Sequence, residues 1–122
     1  VHDVPEALLT DLPRCAAELL PAGAKAEAER RAAERLLGPL APEALALFHE
    51  LAAGATREAR FVRLCDKLQL GLRWLGYRRE GARGLEGFRA GLVALECGEF
   101  APCAELLAEI LAAAGRPEGS PA

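Results

Sequence analysis

The longest apolar periodicity in the chain constrains its fold more than any other feature. From Thr56 onward, Phe61, Leu64, Cys65, Leu68, Leu72 and Leu75 recur at i, i+3, i+4, i+7 spacing. That period predicts an amphipathic helix. Val62, Leu70, Trp74 and Tyr77 are apolar off the stripe, and a helix apolar on most sides is expected to be central and buried. Thr56 is a suitable N-cap with Glu58 in the first turn, so the helix is expected to run from there to about Arg79. No segment alternates cleanly at period 2. Further helices are expected over 25–37, ended by Gly38 and Pro39, and over 43–53, opened by Pro42 and ended by Gly54. Two more are expected near 84–95 and 102–114. Residues 1–9 read as the end of a helix that Pro5 would disturb, and residues 10–13 as a loop. The fold class is therefore all-α, a helical bundle.

At 122 residues the chain is long enough for one domain and one core. The domain is expected over 1–115, with 116–122 a frayed tail. The net charge of −3 and scattered basic residues exclude the basic stripe of a nucleic-acid binder. No run of 18 apolar residues occurs, so no membrane partner is expected. Cys15, Cys65, Cys97 and Cys103 contain no C-x-x-C spacing, which argues against structural zinc. Cys65 reads as a small core residue. Free cysteines suit a reducing cytoplasm. The chain has no Met and opens at Val1, so it reads as part of a longer protein.

The chemistry is concentrated near the N-terminus. His2-Asp3 is followed by Glu6 and Asp11, and answered downstream by Asp66. An imidazole beside a carboxylate offers a borderline nitrogen and a hard oxygen, a pairing suited to a first-row divalent metal. In a helix, Glu6 would share the face of His2 and Asp3, while Asp11 would sit on a loop. Asp66 lies between Val62 and Leu70 at i−4 and i+4, so its carboxylate is expected to be desolvated and to need a partner. Lys67 points about 100° away on the helix and is not an obvious one. A divalent cation polarises phosphoryl oxygens, and a nearby carboxylate can activate water or protonate a leaving oxygen. Hydrolysis of a phosphoester fits this set.

The same residues resemble the HD-domain phosphohydrolases, most closely their 5′-nucleotidase branch. The motif HD-x-x-E-x-x-x-x-D-L-P stands here as His2-Asp3, Glu6 and Asp11-Leu12-Pro13. The later E-A-x-x-V-x-x-x-D-K-L stands as Glu58-Ala59, Val62 and Asp66-Lys67-Leu68. Lys25 and Glu29 are similar to the family's pattern between them. The resemblance covers His2 to about Tyr77. It implies an HD-type helical bundle, N-terminally incomplete, that forms a homodimer. It also implies one divalent transition metal such as Mn2+ or Co2+, with His2, Asp3 and Asp66 as metal ligands. Glu6 would organise the site, and Asp11 would activate the attacking water or protonate the leaving oxygen. The implied substrate is a nucleoside or deoxynucleoside 5′-monophosphate. The family's first metal His and a phosphate-binding Arg would precede Val1, so weak turnover is expected from these residues alone.

Other readings stay open. The alternatives are an HD hydrolase of a triphosphate or signalling nucleotide, or a non-catalytic helical interaction module. Asp66 could instead pair with Arg63 or Arg73. Lys25 and Glu29 at i, i+4 suit a surface ion pair. His49 is expected to be structural or exposed, and Trp74 and Tyr77 to serve packing or a dimer surface.

Overall fold

A computed structural model describes residues 1–115. The described residues form α-helices and no strand, as the periodicity requires. The expected tail, 116–122, lies outside them. The chain divides into two compact units, Val1–Ala59 and Arg60–Ala122.

The N-terminal unit holds α1 (Glu6–Leu9), α2 (Arg14–Ala17), α3 (Ala24–Leu37) and α4 (Pro42–Ala53). α3 packs against both α1 and α4. Its buried residues are small, Ala32 and Ala33, and α4 contributes Phe48. Pro42 occupies the first turn of α4, where its missing N–H is no loss. Gly54 ends α4 at φ 65°, a left-handed cap that glycine adopts without a Cβ penalty. On the solvent side of α3, Arg30 bridges Glu27 and Glu34, and Arg31 also reaches Glu27. Hydrogen bonds from Arg30, then Arg31, hold the Glu27 carboxyl at about 2, well below its ordinary 4.5.

α5 (Arg57–Arg79) starts in the first unit and is the longest helix of the second. Thr56 caps it as expected: its Oγ1 accepts the Ala59 N–H at 3.2 Å and donates to Glu50 Oε1 at 2.6 Å. α6 (Glu86–Val93) and α7 (Ala101–Ala113) pack together. Leu64, Leu68 and Trp74 of α5 join Leu92, Cys97, Cys103, Leu107 and Ile110 in one buried cluster. Trp74 is 2 % exposed, and its Nε1–H donates to the Leu85 carbonyl at 3.1 Å. That bond resolves the usual difficulty of burying an indole and assigns Trp74 to packing. Gly71 lets α5 approach α6: a Cβ there would lie 2.8 Å from Leu92 Cδ2.

The expectation that α5 is buried on most sides needs correction. Leu64, Leu68, Trp74 and Leu75 are buried, whereas Phe61, Val62, Leu70, Leu72 and Tyr77 are exposed. The buried stripe is narrow, and periodicity reports which residues could be covered, not which are. α1 is also corrected. Residues 2–5 form turns, and Pro5 caps the start of α1 rather than interrupting a helix, because proline's φ suits a helix start.

Candidate functional site

The turn before α1 sets the first motif. The Val4 N–H donates to the Val1 carbonyl at 3.3 Å and the Glu6 N–H to the Asp3 carbonyl at 3.0 Å. Pro5, among the most deeply buried side chains, anchors this turn against the unit. His2 and Asp3 stay outside, 46 % and 67 % exposed at the side chain, with His2 Nε2 3.0 Å from Asp3 Oδ1. The imidazole nitrogen and carboxylate oxygen are thus held together. Glu6 is the first residue of α1, not a helical neighbour of His2, because residues 2 and 3 are not helical.

α1 ends at once. Thr10 takes φ 62° and ψ 168°, a region that a β-branched residue enters at a cost of about 1–3 kcal/mol. This kink turns the chain immediately before Asp11, which is exposed. Glu6 lines a cavity of about 190 Å3 with Pro5, Leu9, Leu12, Lys25 and Glu29. Asp11 is not among its walls. Lys25 and Glu29 form the expected i, i+4 ion pair, at 3.5 Å. His49 is exposed, its ring edge-on to Phe48 at 5.8 Å.

The second motif begins in the N-terminal unit with Glu58-Ala59, and its Asp66 lies in the C-terminal unit. Asp66 is not the desolvated carboxylate its neighbours suggest. Its side chain is 42 % exposed, and Lys67 Nζ lies 3.2 Å from Oδ2. Val62 and Leu70, one turn either side, are themselves exposed, so they cannot dry it. Lys67, discounted on helical angle, is a partner after all because its long stem bends back.

The donor chemistry of His2-Asp3 suits a divalent transition metal, and both side chains are open to one. Among the described residues, no group of three or more His, Cys, Asp or Glu converges as a set able to hold a metal ion. The structure therefore supplies a two-donor pair in one unit and a half-exposed carboxylate in the other.

Sequence reading missed Thr10 and the apolar cavity walls. Nothing in a Thr-Asp dipeptide signals positive φ. It also missed that Cys103 acts electrostatically on both Cys65 and Cys97. Burial, then Cys103, pushes the Cys65 thiol above its ordinary value, and the same two causes raise Cys97.

A family model described as HD domain matches residues 1–90, a span that contains both motifs. No curated protein and no solved structure matches the chain. No helix among the described residues is long and apolar enough to cross a membrane.

Proposed function

The chain belongs to the HD-domain family, and on that premise we propose that it removes phosphate from nucleoside or deoxynucleoside 5′-monophosphates. HD domains are typically metal-dependent phosphohydrolases, so the proposal adds the substrate and the residues. The observation that carries it is the His2 Nε2–Asp3 Oδ1 contact at 3.0 Å, within a motif that continues through Glu6 and Asp11-Leu12-Pro13.

His2 and Asp3 would hold one divalent cation, such as Mn2+ or Co2+, with Asp66 of the later motif as a further ligand. When bound, such a cation polarises a phosphoryl oxygen of the ester. Asp11, exposed after the Thr10 kink, would take a proton from the attacking water or return one to the leaving ester oxygen. Glu6, fixed at the start of α1, would orient the groups beside it. The exposure of Asp66 supports this role in one respect: its ion pair with Lys67 is solvent-accessible, and such pairs contribute only about 0–1 kcal/mol. A cation can displace Lys67 at little expense. A homodimer and a cytoplasmic setting complete the proposal.

The test is phosphate release from a panel of nucleoside mono- and triphosphates in the presence of Mn2+ or Co2+. Monophosphate turnover that disappears with chelator, and in His2→Ala and Asp66→Ala, is expected. Turnover unchanged in Asp66→Ala would refute the ligand assignment, and preference for triphosphates would refute the substrate.

A further inference from the structure

The cations of this chain are unevenly neutralised. Lys25, Arg30, Arg31, Arg60 and Lys67 each meet a carboxylate. Residues 73–89 differ. They hold Arg73, Arg78, Arg79, Arg83 and Arg89 against only Glu80 and Glu86. None of these seven forms an ion pair among the described residues. The segment carries +3 in a chain of net −3, so the other residues together carry −6. The chain-wide balance that spoke against a nucleic-acid binder averages over this segregation.

The fold gathers the five arginines at one corner of the C-terminal unit. After α5 the chain doubles back: Trp74 Nε1–H donates to the Leu85 carbonyl at 3.1 Å, and further along α6 Leu92 lies against Gly71. Phe88 and Arg89 fall between those two contacts in sequence. Arg73 to Arg79 spans about 9 Å of helix. Arg78 Cζ stands 5.5 Å from the Trp74 ring centroid, which fixes its charge beside the returning segment. Arg73, Arg79 and Arg83 are exposed. Arg89 buries its Nε without a hydrogen-bond acceptor, a placement that costs stability and that folding does not account for. Two aromatic rings stand open at the same corner, Tyr77 at 53 % and Phe88 at 45 % exposure.

We propose that the α5–α6 corner binds single-stranded nucleic acid. Guanidinium groups match phosphate oxygens two bonds at a time and stack on flat rings. Tyr77 and Phe88 offer faces on which unpaired bases stack, whatever their sequence. A membrane surface fits less well. An interfacial helix needs a broad apolar face rimmed by many cations, whereas α6 has eight residues with one acid, Glu86, and one base, Arg89. None of the corner residues belongs to the His-Asp motif, so binding here is independent of phosphoester hydrolysis.

The full chain is titrated, with chelator present, into a short fluorescein-labelled oligothymidylate, and anisotropy is read over a range of salt. A saturable rise is expected. Its log affinity should fall linearly with log salt, each neutralised phosphate contributing about −0.7 to the slope. Arg79→Glu combined with Arg83→Glu changes two exposed side chains without ion pairs. It should weaken binding about tenfold or more and flatten the slope by about 1.4. Arg35→Glu, an exposed arginine of α3, should leave both unchanged. Tyr77→Ala should weaken binding roughly 5- to 150-fold at an unchanged slope. Circular dichroism checks each variant, and Arg73→Ala, also exposed, replaces any that loses its helical signal. No anisotropy rise, an equal loss in Arg35→Glu, competition by duplex as strong as by single strand, or binding confined to phosphatidylserine vesicles would each overturn the proposal.

Discussion

The approach of α5 to α6 can be tested at a single atom. Gly71→Ala adds a Cβ 2.8 Å from Leu92 Cδ2, 3.4 Å from Leu92 Cδ1 and 3.5 Å from Ile110 Cδ1. Real carbon contacts do not reach 2.8 Å, so Leu92 must move. Leu92 and Ile110 are both buried. Overpacking of this kind costs about 1–3 kcal/mol. Against it stands the gain from replacing a mid-helix glycine with alanine, about 1 kcal/mol. The control lies five residues on. At Gly76, in the same helix, an added Cβ meets nothing within 4 Å among the described residues. Gly76→Ala should therefore stabilise by about 0.5–1 kcal/mol, while Gly71→Ala should fall from neutral to about 2 kcal/mol destabilised. Both variants carry the same propensity change, so the difference between them isolates the clash. Urea unfolding followed by circular dichroism at a helical wavelength reads it through the midpoint at constant slope. Equal stability of the two variants would refute the close approach.

Two further outcomes follow from the N-terminal unit. Thr10→Gly should relieve the strained backbone before Asp11, and the relief of about 1–3 kcal/mol exceeds the flexibility penalty of about 0.5–1 kcal/mol that glycine brings; a lowered urea midpoint would show that Thr10 is not strained. Glu27, held at about 2 in the folded chain against an ordinary 4.5, contributes stability that is complete above pH 4.5 and is lost as pH falls towards 2. The melting temperature of the native chain should therefore exceed that of Glu27→Gln by a small margin that closes over that range, and a margin independent of pH would exclude the Arg30 and Arg31 contacts as its source.

The helices that sequence reading located well are those with strong punctuation. Pro42 and Gly54 bracket α4, Thr56 opens α5, and Gly38 follows α3, each through a backbone requirement local to that residue. α2 escaped notice because four residues, Arg14–Ala17, give no period to read. α1 was misread because Pro5 is compatible with either a helix start or a break, and only the turn bonds from Val4 and Glu6 decide between them. The largest error concerned Asp66. Its burial was inferred from Val62 and Leu70, but an apolar neighbour dries a carboxylate only when something covers both. Periodicity gives a residue's angle on its helix. It carries no information about which angles are packed, and here the covered arc is centred on Leu64, Leu68 and Leu75.

The two motifs also rest on unequal scaffolds, which bears on the chemistry proposed for them. The C-terminal unit has an aromatic anchor, Trp74, tied to Leu85, and a continuous buried cluster. The N-terminal unit buries Ala32, Ala33, Phe48, Ala59 and Pro5, while Leu8, Leu9, Leu19, Leu20, Leu40 and Leu47 are exposed. Apolar burial stabilises by roughly 25 cal/mol per Å2, so small alanines and uncovered leucines give α1 little to hold it. Helices with few buried contacts open locally at low free energy. Well-buried Pro5 and two turn hydrogen bonds contribute to the position of His2 and Asp3. A pair so held is a poor preorganised site by itself but a responsive one. A ligand that binds only its closed form stabilises it by mass action, about 2.7 kcal/mol at a hundredfold excess over Kd. On this argument a bound divalent cation would do more than supply chemistry to the His-Asp motif. It would supply much of the order that the N-terminal unit does not obtain from its own core.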